Sequence, residues 1–151
     1  MPPPRVIETK DLPQVSGAEQ AISGFLARFG ADLDSPAVFQ DVLGERLAIG
    51  RKLFANADGT VSADIPIVYL PLLAKTLAEP DEIWLQMAWY QGAQKATLTR
   101  RYLARFQQPG ESLSLLLLLD WGLAGWRANV SYQDAELLRQ GLRLYQRPEE
   151  E

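Results

Sequence analysis

The chain reads as an α+β protein, with N-terminal helices packed on one face of a four- to five-stranded antiparallel meander sheet. Three observations predict it. Apolar Ala21, Ile22, Phe25, Leu26 and Phe29 recur at helical spacing in the first half. Beyond Pro80 the period changes from helical to alternating, the period of a half-buried strand. The alternating stretches are separated by Q-G-A-Q, Q-P-G-E and G-L-A-G, each a glycine-bearing turn of hairpin length. At 151 residues the chain is one domain's worth. The predicted division is a flexible linker over 1–16, a single α+β domain over 17–147 and an acidic tail over 148–151.

Taken in order, Pro2, Pro3, Pro4 and Pro13 make the first segment extended, the kind of stretch that joins a domain to something before it. Gly17 to Phe29 forms an amphipathic helix that stops at Gly30. The stretch from Ala37 to Ile49 holds two short apolar runs around Gly44 and reads as a small hairpin. A helical turn at Arg51 to Phe54 precedes the Asp58-Gly59 turn. Ile67 to Ala78 is apolar on nearly every side, so it is a buried helix with Pro71 in its first turn or at a kink. Four strand candidates follow, then a helical stretch from Gln133 to Gln140 and a last edge strand over Leu142 to Gln146.

Folding each hairpin about its turn predicts a register. Ile83, Leu85, Met87 and Trp89 fall opposite Tyr102, Arg100, Leu98 and Ala96, while Trp84 falls opposite Arg101. The next turn sets Phe106 against Leu113, Arg105 against Ser114 and Thr99 against Asp120; the third sets Asp120 against Arg127 as a cross-strand ion pair. One face is then apolar. The other carries Trp84, Lys95, Thr97, Thr99, Arg101, Arg105, Asp120, Arg127, Asn129 and Ser131. That polar face is either an ordinary solvated sheet surface or a platform where Lys95, Arg101 and Arg105, with Trp84 beside them, bind a phosphate backbone and a stacked base. Leu103, Leu116 and Leu118 share it, so partial cover by another element or a partner is a further reading. Arg100 has apolar parity and needs a carboxylate such as Glu79, a route to the rim, or a site to serve. Trp89, Trp121 and Trp126 are expected in the core.

Composition excludes several chemistries. The chain has no cysteine and no histidine, so a disulfide scaffold, a thiolate or catalytic zinc site and a Ser-His-Asp triad are ruled out within it. Neither a Gly-rich phosphate loop nor a carboxylate cluster for a divalent cation is evident, so no metal and no cofactor is expected. The longest apolar run, Leu115 to Leu119 with its flanks, is far short of the roughly 20 residues a spanning helix needs, and no membrane partner is expected. The net charge of −4 argues only weakly against nucleic acid, because charge is segregated: Lys95 to Gln108 holds four cations and no acid, while Glu149, Glu150 and Glu151 load the tail.

Several blocks together carry a family resemblance: F-Q-D-V-L-G-E-R-L-A-I at Phe39 to Ile49, K-L-F at Lys52 to Phe54, Y-L-P-L-L-A-K-T-L-A-E-P-D-E-I-W at Tyr69 to Trp84, R-R-Y-L at Arg100 to Leu103, G-W at Gly125 to Trp126, and R-Q-G-L-R-L-Y at Arg139 to Tyr145. Over about Pro36 to Arg147 the chain resembles the module at the C-terminal end of phage Mu-type head morphogenesis (minor capsid) proteins, grouped with phage barnase/EndoU/colicin/RelE-like nucleases. The resemblance implies a phage- or prophage-encoded, toxin-like ribonuclease that needs no metal and cuts RNA phosphodiesters at the open face of the sheet. It implies Lys95, Arg101 and Tyr145 as catalytic residues, the cations stabilising phosphorane-like charge and Tyr145 or Tyr132 relaying a proton. Trp84, Arg105, Arg127 and Tyr132 would contact RNA. An immunity protein or a phage head or portal protein would be the protein partner, and the host cytoplasm or the virion the location. The chain departs from the family pattern after Gly59, where T-V-S-A-D-I-P replaces basic residues, and after Trp126, where R-A-N-V-S-Y stands. The alternative is a catalytically inactive interaction module of a head morphogenesis protein.

Overall fold

The computed structural model describes residues 1–12, 14, 16–90, 94–111, 113–122, 125–132 and 135–148. Its elements are β1 (Arg5–Val6), α1 (Ala18–Ala27), β2 (Ala37–Gln40), β3 (Arg46–Ile49), α2 (Leu70–Ala78), β4 (Glu82–Tyr90), β5 (Lys95–Gln107), β6 (Leu115–Gly122), β7 (Gly125–Ser131) and β8 (Leu142–Gln146). The large sheet runs β7-β6-β5-β4-β8, with β1 added in parallel to the end of β5, and β2 and β3 form a separate hairpin. The expected α+β architecture is therefore present. The last strand lies beside β4, at the opposite edge from β7, so the chain between them must cross the sheet.

Each helix is placed by its apolar stripe. In α1, Ala21, Ile22, Phe25 and Leu26 are buried, and Phe25 meets Phe54 and Trp126 edge-on with centroids 5.3 and 5.4 Å apart. Pro71 lies in the first turn of α2, where its missing N–H costs no helical hydrogen bond. Leu70, Leu72, Leu73, Ala74, Thr76 and Leu77 of α2 are all buried, because the helix lies between α1 and the sheet. Thr76 disposes of its hydroxyl by donating to the Leu72 carbonyl at 2.8 Å.

The β4–β5 register is the one that folding about the turn predicts, from Glu82 opposite Leu103 to Tyr90 opposite Lys95; the tip, Gln91 to Ala93, lies outside the described residues. The β5–β6 register differs by two. Phe106 faces Leu115, Arg105 faces Leu116 and Asp120 faces Arg101. A longer loop goes with the shift: β5 ends at Gln107, which donates to the Glu111 carbonyl and accepts from Ser114 Oγ, and β6 begins at Leu115. A slip of two keeps every side chain on its predicted face.

Both faces of β6 are buried. Leu115, Leu117 and Leu119 join the main core, while Leu116, Leu118 and Leu103 form a second cluster with Trp84, Leu138 and Met1. The crossing segment and the N-terminus thus cover part of the face expected to be open. Residues 1–7 are extended, as their prolines require, but docked: Pro2 and Ile7 are buried and Arg5 stacks on Phe106. Three smaller expectations also change. Arg100 pairs with Glu45 and not Glu79, because Tyr102 and Arg100 face the β2–β3 turn. Trp121 and Trp126 pack on the core, but Trp89 is 57% exposed, beyond the reach of the helices. Only 135–138 of the expected Gln133–Gln140 helix is a short 3₁₀ turn, with Gln133 and Asp134 outside the described residues.

Tyr102 is fully buried at the centre of β5 and donates to the buried Asp41 carboxylate at 2.5 Å. Burial, and then that bond, raises its phenol well above the ordinary 10.0. The unfolded chain therefore loses this proton first. The stability it contributes is complete below about pH 10 and falls as pH rises past that value. The urea midpoint should drop above about pH 10, with a shallower drop in Tyr102→Phe, a variant that also costs about 1–3 kcal/mol at neutral pH by stripping a donor from Asp41.

Candidate nucleic-acid interface

Pairing across five strands places one row of side chains on the face away from the helices. Arg143 stands opposite Trp84, Trp84 opposite Arg101, Arg101 opposite Asp120, and Asp120 opposite Arg127. The row runs the width of the sheet, about 19 Å at the usual strand spacing. A bulge in β8 sets its end: Ile83 pairs with Tyr145 and Trp84 with Arg143, so Leu144 is the extra residue. Leu144 and Tyr145 both reach the main core and Arg143 turns to the other face.

The centre of the row is a two-pronged ion pair. Arg101 Nε and Nη2 donate to the two Asp120 oxygens at 2.7 and 2.8 Å, and Arg101 Nη1 donates to the Leu138 carbonyl at 3.2 Å. Both side chains are about one-fifth exposed. Arg127 is exposed and faces Asp120 from β7, without an ion pair among the described residues; the Asp120–Arg127 bridge expected from the sequence is displaced by Arg101, which the register brings closer. At the other end, fully buried Glu82 accepts Arg139 Nε and Nη2 at 2.6 and 2.9 Å and Trp84 Nε1 at 3.0 Å, with Arg143 Nη1 at 3.7 Å.

The row lies at a boundary. Towards one side, the leucine cluster is roofed by Leu138, whose carbonyl also accepts Gln86 Nε2. Towards the other, the next row holds Gln86, Thr99 and Gly122, and a Cβ on Gly122 would come within 3.0 Å of Thr99 Oγ1. Thr99 and Gly122 are small, while Gln86 Nε2 also donates to the Gln140 carbonyl at 2.9 Å, so the crossing segment reaches this row at its β4 end. The crossing segment is anchored at its far end by Gly141, whose positive φ of 97° and close approach to the Leu85 carbonyl admit no side chain.

The residues singled out in the sequence do not all meet. Trp84, Arg101 and Arg127 lie in the row. Lys95 shares the face, but six residues along β5 put it about 20 Å from Arg101. Arg105 is committed elsewhere: Nη2 donates to the Pro2 carbonyl at 2.5 Å and its backbone N–H to Asp81 at 2.8 Å. Trp84 has the Arg139 guanidinium 5.5 Å above its ring, the position a stacked base would need. Tyr145 and Tyr132 lie on the helix side. Tyr145 pairs with Ile83 against the core, and Tyr132 hydrogen-bonds Tyr69, whose phenol is raised by burial and then by that bond. Neither can relay a proton to Arg101 through the sheet. Glu82, Arg139 and Arg143 were not among the expected site residues. Their signal was the parity of P-D-E-I-W, which sets Glu82 beside Trp84, together with the R-Q-G-L-R spacing.

A family model described as phage-Barnase-EndoU-ColicinE5/D-RelE like nuclease2 matches residues 24–146. The chain belongs to this nuclease family. The matched region holds every residue of the row, the whole β2–β3 hairpin and α2. Neither the curated proteins nor the solved structures compared with the chain gave a match. Among the described residues, no group of three or more His, Cys, Asp or Glu is placed to hold a metal ion, and no helix is long and apolar enough to cross a membrane. For a nuclease of this family, the row offers a fixed carboxylate acceptor flanked by guanidinium donors, the pairing suited to a phosphodiester.

The two arginines beside Asp120 should differ in their effect on stability. Arg101→Met strips Asp120 of its partner and the Leu138 carbonyl of a donor, and should cost about 1–3 kcal/mol in urea unfolding. Arg127→Ala should stay within about 0.5 kcal/mol of the parent.

Proposed function

We propose that this family member is a toxin-like ribonuclease of phage or prophage origin that cuts RNA at the Arg101–Asp120–Arg127 centre of the row, without a metal ion. The observation that carries the reading is the row itself. A carboxylate oriented by one guanidinium faces a second, exposed guanidinium one strand away. Asp120 would take the proton of a ribose 2′-hydroxyl as its oxygen bonds to phosphorus. The P–O5′ bond breaks, the 5′ oxygen leaves with a proton from water, and a 2′,3′-cyclic phosphate remains. Arg127 donates to the non-bridging oxygens as charge builds, which a preorganised cation stabilises most. Lys95 lies too far along β5 for the reacting phosphate and would contact the RNA backbone at the distal end of the face. The role expected of Tyr145 passes to Asp120, because the tyrosine lies on the other side of the sheet. Arg105 and Trp84 would reach RNA only if the Pro2 carbonyl and Arg139 moved off them. Such an enzyme would work in the host cytoplasm or travel with the virion, and an immunity protein would be its natural restraint.

A second reading, a non-catalytic module of a head morphogenesis protein, is favoured by a different surface. Met87, Trp89 and Leu98 are 66, 57 and 58% exposed, and Met87 faces Leu98 directly across β4 and β5. Such a patch fits a protein partner.

Incubation of the protein with total RNA in the presence of a chelator separates the two. The ribonuclease reading expects fragments ending in cyclic phosphate, and a loss of about 100-fold or more in Asp120→Asn and in Arg127→Ala with folding intact. Absence of cleavage by the parent, or cleavage untouched by both substitutions, would overturn it.

A further inference from the structure

We infer that Arg139 and Arg143 form a phosphate-binding subsite remote from the reacting centre, one that makes the enzyme prefer an RNA strand extended in a single direction. This rests on the ribonuclease reading for its functional meaning, but the subsite stands on its own geometry. Glu82 is fully buried, and its two oxygens hold Arg139 through a two-pronged contact and Arg143 at 3.7 Å. The pair of guanidiniums outweighs the one carboxylate beneath them. That carboxylate is buried beneath them, and it leaves donors over: Arg139 uses only Nε and Nη2 on Glu82, and Arg143 only Nη1. Arg143 is 45% exposed at the side chain and Arg139 23%. Two arginines preoriented by a buried acid, with their outer donors at the surface, suit the tetrahedral oxygens of a phosphodiester.

Position in the row gives the subsite its meaning. Asp120 is three strands from Arg143 and one strand from Arg127. Three strand spacings are about 14 Å, a distance that about two successive internucleotide linkages span. In the other direction the sheet ends at β7, one strand beyond Asp120. A bound strand therefore meets cations for a longer way on the β8 side of the scissile bond than on the β7 side.

Oligodeoxynucleotides carrying one ribonucleotide, so that a single bond can be cut, test this with the full chain. Adding two nucleotides on one side of the cleavable bond should raise kcat/KM about 10-fold or more, and adding them on the other side less than about 2-fold. In Arg143→Gln the favoured extension should lose its advantage, with the melting temperature unchanged because Arg139 still satisfies Glu82. Equal gains on both sides, or a gain that survives Arg143→Gln, would sink the subsite. If no substrate is cut at all, the ribonuclease reading fails and binding decides the subsite. Fluorescence anisotropy of an all-deoxy nonamer should show weaker binding in Arg143→Gln and a salt slope smaller by about one. An unchanged affinity and slope would overturn it.

Discussion

Two adjacent carboxylates at the start of β4 organise the molecule. Asp81 and Glu82 are both fully buried, and a buried charge persists only if it is paired and hydrogen-bonded. Successive strand residues point to opposite faces, so the two acids gather cations from different directions. Asp81 takes Arg147 at 2.8 Å, Arg5 at 3.5 Å and the Arg105 backbone N–H at 2.8 Å. Glu82 takes Arg139, Arg143 and the Trp84 indole. The first tie closes the N-terminal and C-terminal segments onto the central hairpin. The second fastens the crossing segment over the leucine cluster. Removing Glu82 would leave Arg139 and Arg143 without their carboxylate, and removing Asp81 would take that of Arg147, while Arg5 keeps Glu79.

The same constraint shapes the face where chemistry is proposed. Because Arg139 is bound to Glu82, Leu138 is pressed onto Leu103, Leu116 and Leu118, and its carbonyl comes within reach of Arg101 and Gln86. The roof reaches the charged row and, through Gln86, the β4 end of the next row, where Thr99 and Gly122 are half-buried. A buried ion pair is weak evidence for stability but a good device for uniqueness of arrangement. Here it fixes where the crossing segment sits on the sheet face. Tyr102 and Asp41 perform the corresponding task on the other side, tying the β2–β3 hairpin to the sheet with a buried hydrogen bond. The R-R-Y block thus serves both faces: Arg100 and Tyr102 look towards the helices, while Arg101 looks towards the row.

Strand parity, the two helices and the small hairpin were legible in the sequence because each depends on local periodicity and on turn residues. Parity survived even where the β5–β6 register moved by two, since an even shift keeps each residue on its face. The sequence by itself determined that Trp84, Arg101, Asp120 and Arg127 share a side, and that without histidine or cysteine any hydrolysis must use other groups. Only the tertiary structure decided that Asp120 belongs to Arg101, because the extra loop residues between β5 and β6 carry no periodic signal. It alone decided that β8 lies beside β4, which completed the row with Arg143 and removed Tyr145 to the helix side. Long-range pairing of this kind is governed by buried charge and by a bulge, and neither leaves a local pattern to read.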